Sequence, residues 1–148
     1  MNLVIESNAK EFALRHGVLS LEEVVTWADA LIEKMDEPPV ELFDVSLAKD
    51  LNSIIEALGC FGRSNEKTTV AKLIFRYFYD NLSSSQPNYE RVARGLYDMF
   101  LQEIAPMAPP SEEMACYWDD LDLAERGYVG TLEEVQQNML NLLKVHKC

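Results

Sequence analysis

Between Thr68 and Leu82 the chain reads Thr-Thr-Val-Ala-Lys-Leu-Ile-Phe-Arg-Tyr-Phe-Tyr-Asp-Asn-Leu, its densest apolar run. Wound at about 100° per residue, Val70, Leu73, Ile74, Tyr77 and Phe78 share one face, and Phe75 and Tyr79 fall on the other side. Lys72, Arg76 and Asp80 recur every fourth residue and form the polar seam, a spacing that belongs to a helix rather than to the alternation of a strand. A helix apolar on nearly every side is a buried one. The pattern therefore predicts a central helix over about residues 65–83 with the rest of the chain packed around it. A short buried strand is the alternative, because aromatic residues favour strands.

At 148 residues the chain fits one all-helical domain spanning 1–148, large enough to bury a core without disulfides or metals. Around the central run the spacing predicts six or seven helices in all. The first runs from Ser7 to His16 and ends at Gly17 in the left-handed conformation. Ser20 to Glu23 is a capping box that opens the second, with the Ser20 oxygen accepting from the Glu23 amide and the Glu23 side chain reaching back to the Ser20 amide. Leu21, Val24, Val25, Ala28, Leu31, Ile32 and Met35 make its inner stripe, with Trp27 at the margin, and Pro38-Pro39 ends it. A third helix, capped by Asp44 or Ser46, presents Leu47, Leu51, Ile54, Ile55 and Leu58 to the core and closes around Gly59 and Gly62. After the central helix, Asn88 or Pro87 starts a fifth with Tyr89, Val92, Ala93, Leu96, Met99, Phe100 and Ile104 inside. Ser111 caps a sixth, with Met114, Tyr117, Trp118 and Leu121 as its apolar positions, ending near Gly127. Thr131 repeats the capping box ahead of a last helix lined by Leu132, Val135, Met139, Leu142, Leu143 and His146.

Charge is the feature that bears on function. The formal net charge is -12, which disfavours direct binding to nucleic acid or to an anionic membrane and favours a basic protein partner, or solubility alone. The acids are segregated. From Glu22 to Asp44 there are eight acids and one base, and from Glu112 to Glu134 again eight and one, so the remaining residues net +2. On the second helix Glu22, Asp29, Glu33 and Asp36 lie at offsets of 0, 7, 11 and 14 residues, which sets them on one ridge, either a binding surface or a solvated face. If the two acidic stretches adjoin, they form one negative face that steers a positive partner. The candidate partner-binding residues are thus Glu22, Asp29, Glu33, Asp36 and Asp44 in the first stretch and Trp118, Asp119, Asp120 and Asp122 in the second. Trp27, Phe43 and Tyr117 are further aromatic residues embedded in these stretches, each a core residue or an interface anchor.

No catalytic or cofactor motif is present: GxSxG, GxGxxG and the phosphate-binding GxxxxGK[ST] are absent. His16 and His146 are too few for a histidine metal site or triad, and both are expected at helix ends. Asp119-Asp120-Leu121-Asp122 lacks the glycine and the closing glutamate of a calcium loop, so no metal and no cofactor is expected. Cys60, Cys116 and Cys148 are odd in number and lack zinc spacing, which predicts reduced thiols. There is no 18-residue apolar span, and Met1 to Glu6 carries no basic leader, so a cytoplasmic location is expected. A small helical enzyme or ligand-binding protein, with Tyr77, Tyr79, Tyr97 and Arg76 around a pocket, is the competing functional class, and a helical adaptor is the third.

Leu14-Arg15-His16-Gly17-Val18-Leu19-Ser20, then Glu23 to Asp29, Pro38-Pro39 and Leu42 through Leu47, resembles a pattern in small helical bacterial proteins. Among proteins of this size and acidity are the immunity proteins of contact-dependent growth inhibition and other polymorphic toxin systems. The resemblance covers about a third of the chain and consists of a helix cap and core positions. It implies a cytoplasmic protein that binds and neutralises a cognate toxin domain. Taken with the charge, the leading expectation is a non-enzymatic immunity-type protein that blocks a basic toxin, for example a nuclease. It assigns a role to no individual residue.

Overall fold

The Thr68–Leu82 run is helical, as its four-residue polar seam requires: Lys72, Arg76 and Asp80 are exposed along one side of a helix over Lys67–Leu82. Its buried residues are Val70, Ala71, Ile74, Phe75, Phe78 and Leu82. Phe75 therefore belongs to the inner arc, centred near Ala71 and Phe78, and not to the far side as the coarse wheel suggests. Leu73 and Tyr77 lie outside that arc and are half-buried.

The structure is a computed structural model that describes residues 2–103, 110–128 and 130–147, the side chains of 110–112 excepted. Its described residues form eight helices: α1 Leu3–Arg15, α2 Leu21–Lys34, α3 Val40–Leu47, α4 Leu51–Gly59, α5 Lys67–Leu82, α6 Tyr89–Leu101, α7 Pro110–Glu125 and α8 Leu132–His146. No described residue is in a strand. Among the described residues no helix is long and apolar enough to cross a membrane. The chain packs as two compact units, Met1–Asn65 and Glu66–Cys148. The fold is all-helical as expected, the described helices number eight rather than six or seven, and α5 lies in the second unit.

The first unit has a core of its own, made by Leu14, Val24, Ala28, Leu31, Leu42, Val45, Ile54, Ala57 and Leu58. Several of its helix ends fall where the sequence sets them. Gly17, at φ 69°, closes α1: its amide donates to Leu14 O and the Val18 amide to Ala13 O, the paired bonds of a Schellman motif. The Glu23 amide donates to Ser20 Oγ at 3.2 Å. The Glu23 carboxylate accepts from the Ser20 hydroxyl at 3.2 Å, where the backbone amide was expected as its donor. Asn2 caps α1, accepting from the amides of Val4 and Ile5, so that helix begins four residues before Ser7.

Two side chains of α1 tie down the segment after α4. Asn8 Nδ2 donates to Gly62 O at 2.8 Å while its Oδ1 accepts from the Ser64 amide at 2.9 Å. Glu11, 4% exposed, accepts from Arg63 at 2.6 Å and from Arg15 at 3.3 Å. Left-handed Gly62, at φ 90°, makes the turn these bonds hold.

In the second unit α5 packs against α8 and α6, and α7 against α6 and α8. Gly95 sets the approach of α6 to α5, because a Cβ there would lie 2.5 Å from the Phe78 ring. Asn88 caps α6 by accepting from the Arg91 amide at 3.0 Å. Thr131 caps α8, accepting from the Glu134 amide at 3.2 Å. Gly127, at φ 78°, ends α7 with the same paired bonds as α1, from Gly127 N to Ala124 O and from Tyr128 N to Leu123 O. Ile104 and Cys148, expected in the core and as a free thiol, lie outside the described residues, and so does the side chain of Ser111, the expected cap. Cys60 and Cys116 are free and exposed.

Candidate functional site

The largest departure from the sequence expectation creates the most notable surface. Residues 40–47 form a helix of their own. Pro39, at φ -64°, leads into it, and Ala48-Lys49-Asp50 breaks it before α4. Asp50, not Asp44 or Ser46, caps α4 by accepting from the Ser53 amide at 2.8 Å. That bond holds the Asp50 carboxyl below the usual carboxylate range, with the Ser53 hydroxyl as the second cause. The break resets the register. Leu47 and Leu51, expected inside, are 74% and 46% exposed.

On α3 the buried side chains are Leu42 and Val45. At about 100° per residue, Val40, Phe43 and Leu47 share roughly 60° of arc on the opposite side, and they are 67%, 41% and 74% exposed. Asp44 borders this stripe on one flank, with Glu41 beyond it. Ser46 borders the other flank, and its hydroxyl donates to Asp29 of α2. Carboxylates thus stand on both sides of an apolar ridge.

Beside that ridge α2 carries Glu22, Asp29 and Glu33, all exposed on one face of that helix. Asp36 is exposed too but leaves the ridge, because α2 ends at Lys34 and Met35 is already extended. Among the described residues no ion pair holds Glu22, Asp29, Glu33, Asp36, Glu41 or Asp44. Trp27 is half-buried beneath Lys10, whose Nζ is 4.7 Å from the ring centre, and its buried indole N–H has no partner among the described residues.

The second acidic stretch is divided. Trp118, Asp119 and Asp122 border a cleft of about 340 Å³ with Tyr89, Glu90, Leu121, Glu125, Leu132 and Gln136. Asp120 turns the other way, into an open groove of about 700 Å³ with Glu113, Cys116, Tyr117, Asn138, Asn141, Leu142, Val145 and His146. The 100° step per residue explains the split. Cations also enter here: the Arg94 guanidinium stands 5.4 Å over the Trp118 ring, and Arg126 pairs with Asp122 at 3.4 Å.

Tyr117 is buried, and its hydroxyl donates to Asn138 O at 3.4 Å. Burial, reinforced by Glu113 and Asp120, pushes its phenol well above the ordinary range, so it remains protonated. No described group of three or more His, Cys, Asp or Glu side chains is arranged to hold a metal ion. His16 sits at the end of α1, stacked on Phe12 with ring centres 4.4 Å apart and Nδ1 2.9 Å from Phe12 O. His146 is the last residue of α8.

Neither cleft is lined by Tyr77, Tyr79, Tyr97 or Arg76. Tyr79 instead lies under the Lys147 ammonium at 5.2 Å, and Tyr97 and Arg76 are exposed. The acidic residues of the two stretches belong to different units, the first to Met1–Asn65 and the second to Glu66–Cys148. Each unit therefore offers its own candidate surface. The α3 ridge escaped sequence reading because Leu47 and Leu51 also fit the inner face of one longer helix. The Ala48-Lys49-Asp50 break, with aspartate as a cap, is the signal that separates the two helices. Compared with protein-family models, with curated proteins and with solved structures, the chain finds no match.

Proposed function

We propose that this chain is an immunity-type binding protein that neutralises a cognate basic toxin domain, a nuclease being the simplest case. It acts in the cytoplasm, without catalysis, by setting carboxylates where the toxin would hold phosphates. The observation that carries the reading is the α2–α3 face, where Glu22, Asp29, Glu33 and Asp44 are exposed and none is held by an ion pair among the described residues. Exposed carboxylates of one sign speed the encounter with a cationic partner and fix its orientation. The N-terminal pattern from Leu14 to Leu47 supports the same class by resemblance.

The test is binding to the toxin encoded beside this chain, together with protection of cells that express that toxin. Affinity is expected to fall as salt rises through the range where the Debye length shrinks below about 10 Å. Reversing Asp29 and Glu33 to lysine is expected to weaken binding by about tenfold or more. Binding that ignores both salt and these reversals would reject the acidic-face mechanism. Failure to bind or protect at all would reject the immunity role.

A further inference from the structure

We infer that the outer ridge of α3, formed by Val40, Phe43 and Leu47, is a docking site for a basic amphipathic helix of the partner. The inference rests on the proposed function for the partner's charge and on the geometry of α3 for its shape. Three large apolar side chains at i, i+3 and i+7 stand 67%, 41% and 74% exposed on one side of a two-turn helix whose other side is anchored by Leu42 and Val45. Scattered surface hydrophobes need no explanation, whereas a contiguous stripe rimmed by polar groups marks an interaction site.

Shape and charge select the occupant. No strand edge exists among the described residues, so an extended peptide cannot bind by strand addition. A convex ridge of this spacing seats in the groove between the side-chain rows of another helix. Asp44 and Glu41 flank one side and Asp29, bonded to Ser46, flanks the other, so the incoming apolar face must be bordered by lysine or arginine. A second copy of this chain would bring the same carboxylates against themselves, and like charges facing each other at an interface are costly. Charge separates the two occupants. A cationic helix is favoured on the same grounds that disfavour self-association.

The probe is a labelled synthetic helix of about 18 residues with leucines at i, i+3, i+4 and i+7 bordered by lysines, titrated with the full chain and followed by anisotropy. Phe43→Ser with Leu47→Ser is expected to raise its Kd about tenfold or more while leaving the thermal midpoint close to that of the parent. Asp44→Lys is expected to raise the Kd and to flatten its salt dependence. Equal affinity for the double-serine variant would overturn the inference. So would equal binding of a lysine peptide of the same charge without the leucine face, or self-association of the parent chain that the double-serine variant abolishes. The toxin experiment separates this inference from the one beneath it. Salt-sensitive toxin binding that survives Phe43→Ser with Leu47→Ser removes the α3 site and leaves the immunity reading standing. Peptide binding through the ridge by a chain that ignores the toxin keeps the α3 site and removes the immunity reading.

Discussion

The stretches from Glu22 to Asp44 and from Glu112 to Glu134 have the same charge composition, eight acids and one base, yet they fold into different surfaces. In the first, the acids stand out from α2 and α3 around an apolar ridge that faces solvent. In the second, Met114, Tyr117 and Leu121 turn inward, at 0%, 5% and 9% exposure, while Tyr128 and Leu132 stand out singly; Arg126 pairs with Asp122, and Arg94 lies over the Trp118 ring. Composition sets how much charge a segment carries. Register and neighbouring helices decide whether that charge is available to a partner.

Two substitutions probe this difference most strongly. Met114→Ala, in the inner face of α7, removes a fully buried side chain and is expected to destabilise the protein by about 2–5 kcal/mol. Leu47→Ala, on the outer face of α3, is expected to change stability by less than about 0.5 kcal/mol. Urea titrations of the two variants check the pair. A large loss at Leu47 would mean that the ridge is part of a core. Next in size is Gly95→Ala. Its new Cβ would lie 2.5 Å from the Phe78 ring, so α6 must retreat from α5 at a cost of about 1–3 kcal/mol. Because α6 also carries Arg94, the fluorescence of Trp118 is expected to shift in the same variant, provided the Trp27 signal is removed by Trp27→Phe.

Much of the scaffold was readable from local chemistry. Ser20, Asn88 and Thr131 announce helix starts because a short side-chain oxygen satisfies an orphan amide, and Gly17 and Gly127 announce ends because they adopt positive φ. The polar seam of α5 was equally plain. What escaped is what depends on distant partners. Asn8 and Glu11 look like surface residues of α1 until the turn at Gly62 and Arg63 folds onto them. The α3 ridge escaped for a different reason: Leu47 fits two helical registers, and only the position of the break chooses between them. The acidic candidates were legible as exposed carboxylates, but their neighbours were not, so Asp119, Asp120 and Asp122 read as one group although α7 sends them into two clefts.

A smaller effect is expected at the cation that distinguishes the second surface. Arg94→Ala removes the guanidinium from the Trp118 face, which is worth about 0.5–1 kcal/mol at an exposed site. The same change leaves the cleft around Asp119 and Asp122 more negative. If the partner reads charge alone, this variant binds more tightly than the parent. If it docks on α3, toxin affinity is unchanged, and calorimetric titration tells the two apart.

The smallest effect concerns the residue that creates the α3 ridge by starting α4. The Asp50 carboxyl lies below its ordinary 3.8 because the Ser53 amide and hydroxyl bond the charged form. A folded-state value below the unfolded one means that the unfolded chain binds the proton more readily, so the carboxylate adds stability above the ordinary value. That contribution is lost as pH falls through the lowered one. Asparagine keeps a cap oxygen without the charge. The thermal midpoint of the parent is therefore expected to exceed that of Asp50→Asn at pH 7, and the gap to close toward pH 3, with the protein's other carboxylates cancelling in the difference. A gap that stays constant with pH would mean that Asp50 acts through its oxygen geometry alone. The break between α3 and α4, and with it the outward turn of Leu47, would then owe nothing to charge.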